Sequence, residues 1–110
     1  MARSRRAARV QAPTILDVGF LGAGEAFVAP LVNFSPFGLS VKTTRAVKVG
    51  TVFRLGFKTG SDYFRAAVVV RSQFPAGFAV EFVSMSGMDR ELLRRSYQRF
   101  QMAARNASAG

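Results

Sequence analysis

Cysteine and histidine are both missing from this 110-residue chain. Without cysteine there is no disulfide framework and no thiolate metal site. Without histidine the commonest general base and the commonest metal ligand are gone. Acidic residues are scarce: Asp17, Glu25, Asp62, Glu81, Asp89 and Glu91 are the full set. They are scattered, and no nucleophile–base pair can be assembled with them, so the chain is read as a non-enzyme that needs no cofactor. No apolar run approaches the roughly 20 residues of a membrane span. No secretory hydrophobic region precedes the first predicted strand, which makes the cytoplasm the expected location.

What is present points to one small domain with a real core. Almost half of the residues are apolar and eleven are Phe, which favours compaction over disorder. The net charge of +10 comes from thirteen Arg and three Lys set against the six carboxylates. Guanidinium offers a planar fork of donors and a flat face for stacking, so an excess made of Arg favours planar anions such as phosphates, nucleotides and nucleic acids. A basic surface also serves solubility alone.

Residues 1–12 hold four Arg and no acid, and they lack the alternation of a packed element, so they read as a mobile arm. The domain proper is expected over 13–104, with 105–110 as a frayed tail. Leu16, Val18 and Phe20 alternate as in a half-buried strand. Gly22 and Gly24 mark a turn, and a second strand runs from Glu25 to Asn33. Residues 33–38 interrupt, and 39–42 resume. Phe53, Leu55 and Phe57 face one way, Arg54 and Lys58 the other. A polar turn over 58–62 leads into the apolar strand 64–71, and Pro75 to Gly77 turns that strand into Phe78, Val80 and Phe82. Many short strands joined by tight turns predict an all-β antiparallel barrel or sandwich. After Ser84 the period changes. Ser86 and Asp89 form a capping-box start, and Met88, Leu92, Leu93, Tyr97 and Phe100 recur at helical spacing. A closing amphipathic helix is predicted over 87–103, with Arg90, Arg94, Arg95 and Arg99 on its solvated side.

Two short patterns stand out. One is Arg5-Arg6-Ala7-Ala8-Arg9, an RxxxR. The other, about two dozen residues later, is Asn33-Phe34-Ser35-Pro36-Phe37-Gly38, an NxSxxG. In a chain this rich in Arg the first is expected about 1.5 times by chance, whereas the second is expected only about 0.04 times. Their order, their spacing and the strands-then-helix frame resemble the PilZ family over nearly the whole chain. That resemblance implies a six- to seven-stranded antiparallel barrel with a C-terminal helix. It also implies a ligand, cyclic di-GMP, and a protein partner that reads the bound state. In the family the two Arg of RxxxR, here Arg5 and Arg9, take the guanine edge and stack on its face, and Arg6 is placed for a phosphate contact. Asn33 and Ser35 receive a guanine and its neighbouring backbone. Gly38 is read as conformational, in a loop reversal that calls for positive φ. Ser4 stands where members that hold two stacked nucleotides carry another Arg, which favours one ligand per chain. Pro36 and the bulky Phe37 depart from the family's loop.

The chemistry agrees with the resemblance. A guanine edge presents O6 and N7 as adjacent acceptors that an Arg fork takes together, and its π-face accepts a guanidinium stack. Asn33 and Ser35 lie one strand period apart and share a face; both are also ordinary turn formers. Arg71, which ends the strand 64–71, is placed to reach the same face, and a solvent-facing strand end accounts for it equally well. The alternative reading is a PilZ-fold interaction module in motility or pilus assembly that binds no nucleotide. A generic nucleic-acid binder drawing on the +10 charge is disfavoured, because most of the Phe sit at core-alternating positions rather than on an exposed stacking face.

Overall fold

The computed structural model describes residues 8–11 and 16–109. Seven strands, β1 (Val10–Gln11), β2 (Asp17–Gly22), β3 (Glu25–Ser35), β4 (Gly38–Lys42), β5 (Val52–Thr59), β6 (Asp62–Phe74) and β7 (Gly77–Ser84), precede one helix, α1 (Gly87–Ala109). All pairings are antiparallel. Strands run β3-β2-β5-β6-β7-β4, and β4 pairs back onto β3 to close a six-stranded barrel, with β1 added outside on β3. The expected all-β barrel with a C-terminal helix is therefore what the chain forms. Closure leaves no free edge on these six strands, which removes the main route to edge-to-edge aggregation.

Period-two alternation fills the interior. Val18 and Phe20, Phe53, Leu55 and Phe57, Phe64, Ala66, Val68 and Val70, and Phe78 and Val80 are buried, while the residues between them face outward. In β3 the alternation is broken. The register of β3 on β4 shifts between Leu31 and Asn33, so Leu31 and Phe34 both reach the core although three residues apart. A bulge of this kind re-aims every side chain beyond it. Here it turns Asn33 and Ser35 to the outer face.

The aromatic side chains gather in two clusters. Phe20, Phe27, Phe53 and Phe78 meet with ring centroids 5.1–6.3 Å apart, and Arg45 lies 4.3 Å above the Phe27 ring. Phe34 contacts Phe57, Tyr97 and Phe100 edge-on at 5.8, 5.9 and 4.9 Å. Each such pair contributes about 0.5–1.5 kcal/mol beyond its burial, so Phe34 ties β3 to the helix.

The helix starts where the capping box predicts. The Asp89 N–H donates to Ser86 Oγ at 3.0 Å, and the Ser86 hydroxyl donates to Asp89 Oδ2 at 2.6 Å. Asp89 Oδ1 also accepts the Arg65 N–H of β6 at 3.1 Å, which pins the cap to the barrel. The helix runs six residues past the expected end at 103, through most of the segment read as a tail. Ala103 and Ala104 propagate helix well, and no Gly or Pro intervenes before Gly110. Two side chains of α1 differ from the sequence reading. Met88, assigned to the apolar stripe, is 77% exposed, and Ser96 takes a fully buried place instead. Arg99 is exposed, as expected, but its guanidinium is engaged. It pairs with Asp62 at 3.3 Å and donates to Thr59 Oγ1 at 3.0 Å, beside a buried Thr59–Ser96 hydroxyl pair at 2.6 Å. The polar β5–β6 turn offers these partners only once the helix lies across it.

Candidate functional site

Three elements build the site. The segment expected to be a mobile arm is pinned at residues 8–11. Val10 is buried and pairs with Phe34, Gln11 pairs with Asn33, and the Tyr97 hydroxyl of α1 donates to the Ala8 carbonyl. With Val10 turned inward, Arg9 is set on the outer side of β3. Its Nη1 donates to Asn33 Oδ1 at 3.2 Å. Ser40 Oγ, on β4, donates to the same oxygen at 2.9 Å.

This arrangement fixes the asparagine. Arginine has donors only, so the side-chain oxygen of Asn33 must face Arg9. The Asn33 amide NH2 then points away, and it has no partner among the described residues. Two donors presented beside a guanidinium suit the O6 and N7 acceptors of a guanine edge. Burial lowers the pKa of Arg9 from its ordinary value, and no carboxylate faces it among the described residues. A partly desolvated cation without a counterion is a good anion site.

The floor beside Asn33 is made of small residues. Across the outer face, Asn33 aligns with Ser40, Ser40 with Ala79, and Ala79 with Ser72. The next row runs Ser35, Gly38, Glu81 and Val69. At ~4.8 Å per strand these rows span about 14 Å. Arg71 closes the far side, its Nε donating to Glu81 Oε1 at 2.6 Å. The surface is thus smooth in the middle and carries guanidinium groups at both ends, a shape suited to a flat, anionic ligand.

The motif residues divide by role. Arg9 and Asn33 meet directly. Ser35 is buried, and its Oγ accepts the Phe37 N–H at 3.1 Å, so its hydroxyl holds the two-residue turn of Pro36 and Phe37. Phe37 rests at the rim, 43% exposed, and its carbonyl accepts the Phe82 N–H at 2.9 Å. Gly38 corrects its expected reason. Its φ is not positive; instead a Cβ there would lie 2.2 Å from the Val80 carbonyl oxygen, so glycine is required for β4 to approach β7. Arg5 and Arg6, like Ser4, lie outside the described residues. Sequence reasoning missed Ser40 and Glu81. The first is visible only once the bulge sets the β3–β4 register, the second only once β4 pairs with β7.

The PilZ domain model matches residues 3–99. The chain belongs to the PilZ domain family. Among solved structures, this PilZ domain is similar to the Bacillus subtilis inhibitor of motility, MotI/DgrA, with a TM-score of 0.75 at 20% identity. The match covers 93% of this chain and 54% of the other, so the chain spans about half the length of that protein. At such identity the likeness is one of fold. A search of curated proteins finds no match.

Proposed function

We propose that this PilZ domain is a receptor for cyclic di-GMP that carries its ligand between Arg9 and the outer face of β3, β4 and β7, and passes the bound state to a protein partner. The observation that carries the reading is the hydrogen bond from Arg9 to Asn33, which joins the two halves of the motif and leaves the Asn33 amide donors facing outward. Membership of the family supports the ligand class. Arg5 is assigned to the same nucleotide on the motif alone, and its contribution is ordering of the residues before Arg9 over the ligand, at an entropic cost that charge-assisted contacts must exceed. The function is binding and relay, in the cytoplasm, without catalysis or specific nucleic-acid recognition. No helix among the described residues is long and apolar enough to cross a membrane.

Isothermal titration with cyclic di-GMP tests the reading. Saturable binding that is weakened in Arg9→Ala and Asn33→Ala, with an unchanged melting temperature, is the expected result. A second reading, a PilZ-fold interaction module without nucleotide, draws on Ser35, whose hydroxyl is already engaged inside the turn. No binding by the folded wild-type chain would establish that reading instead.

A further inference from the structure

The outer face of β3, β2, β5 and β6 carries a second feature that the nucleotide site does not use. Its central cross-strand row is Val28, Gly19, Gly56 and Arg65, so two glycines lie side by side between two longer side chains. The result is an open trough of about 1090 Å³. That exceeds the ~300–1,000 Å³ of usual small-ligand pockets. The Tyr63 ring lies along the floor at Gly56, where a Cβ would meet its hydroxyl oxygen at 2.3 Å. Leu21, Val28 and Tyr63 are 56, 64 and 53% exposed, more apolar surface than isolated exposed residues require. Around them, the side chains of Arg54, Lys58 and Arg65 have no acidic partner among the described residues. Of the two carboxylates in the lining, Asp89 is already bound to Ser86 and the Arg65 N–H, which leaves Asp17.

We propose that this trough docks an amphipathic helix of a protein partner, with an apolar stripe seated on Leu21, Val28 and Tyr63 and acidic flanks facing Arg54, Lys58 and Arg65. Three considerations select that occupant. Every strand beneath the trough is paired on both sides, so an added β-strand has no edge to join. Four strands span about 14 Å, enough for a helix ~10 Å wide. The exposed aliphatic side chains gain from apolar contact, which a phosphate backbone does not supply, while the unpaired cations favour an acidic partner. This surface stands independently of the nucleotide reading.

The test uses the full chain and a synthetic helical peptide with a leucine stripe flanked by glutamates. Controls are the same helix with lysine flanks, one with glutamates around an alanine stripe, and a single-stranded DNA oligomer. Amide shifts on titration with the acidic leucine helix are expected to centre on Gly19, Leu21, Val28, Gly56 and Arg65. Two variants should each weaken binding by about tenfold or more. Gly19→Val fills the trough, and a Cβ at Gly19 meets nothing closer than the Gly56 oxygen at 3.8 Å, so its attachment point is uncrowded; an unchanged melting temperature checks that the variant folds. Arg54→Glu with Lys58→Glu reverses charge at exposed positions. Cyclic di-GMP titrations of both variants, expected to match wild type, separate this surface from the nucleotide site. Shifts centred on Arg9 and Asn33, equal binding by the alanine-stripe helix or the DNA, or no binding by the acidic leucine helix would each overturn the proposal.

Discussion

Arg9 and Asn33 stand 24 residues apart in the chain, and their side chains meet at 3.2 Å on the outer face of the barrel. The contact depends on a two-residue strand, β1, that pairs with Asn33 and Phe34. Two residues before it, Ala8 is held by the Tyr97 hydroxyl from the helix. The guanidinium is therefore positioned from both sides before any ligand arrives, which lowers the ordering cost of binding.

Arg9→Ala is expected to weaken cyclic di-GMP binding by about 1.5–3 kcal/mol, the usual loss for one hydrogen bond to a charged group. Arg90→Ala, on the exposed start of the helix, is expected to leave affinity unchanged. Calorimetry on both variants checks this. Equal losses would mean that binding follows net charge and not the motif.

Selectivity should survive salt. Attraction to phosphate alone falls steeply as salt rises and is blind to the base. If the outward Asn33 amide and the Arg9 fork read a guanine edge as proposed, cyclic di-AMP should compete poorly at moderate salt. A competition titration at two salt concentrations measures it; equal competition by cyclic di-AMP would point to a charge-driven surface.

Gly38→Ala is expected to destabilise the protein without ligand present, by about 1–3 kcal/mol as for other overpacked sites. The added methyl has to displace the Val80 carbonyl, and with it the β4–β7 pairing that closes the barrel. Urea denaturation reads the change directly. A stability equal to wild type would show that β4 and β7 can move apart at no cost.

The Thr59–Ser96 hydroxyl pair should behave as a coupled unit. Thr59→Val or Ser96→Ala alone leaves a buried polar group short of a partner, at a cost of about 1–3 kcal/mol. Arg99, which donates to both hydroxyl oxygens, shares that loss. The double variant should be more stable than the two single losses added together predict, and a double-mutant cycle by chemical denaturation would expose the coupling.

Much of this domain follows from local pattern. The alternation of Phe53, Leu55 and Phe57, the helical recurrence of Leu93, Tyr97 and Phe100, and the Ser86 and Asp89 cap each act within a few residues, so they are legible in the chain and specify barrel strands and a closing helix. The two motif halves are legible for the same reason, and they carried the family. Tertiary structure alone decided how these pieces meet. The register shift after Leu31 turned Asn33 outward, β1 brought Arg9 to it, and pairing with β7 made Gly38 obligatory. Closure of the sheet also set Gly19 beside Gly56 and opened the second trough. Side-chain alternation is a property of one strand, whereas these features depend on which strands become neighbours. That choice rests on the whole buried core, with Tyr97 and Phe100 of the helix packed on Phe34, and no short stretch of residues contains it.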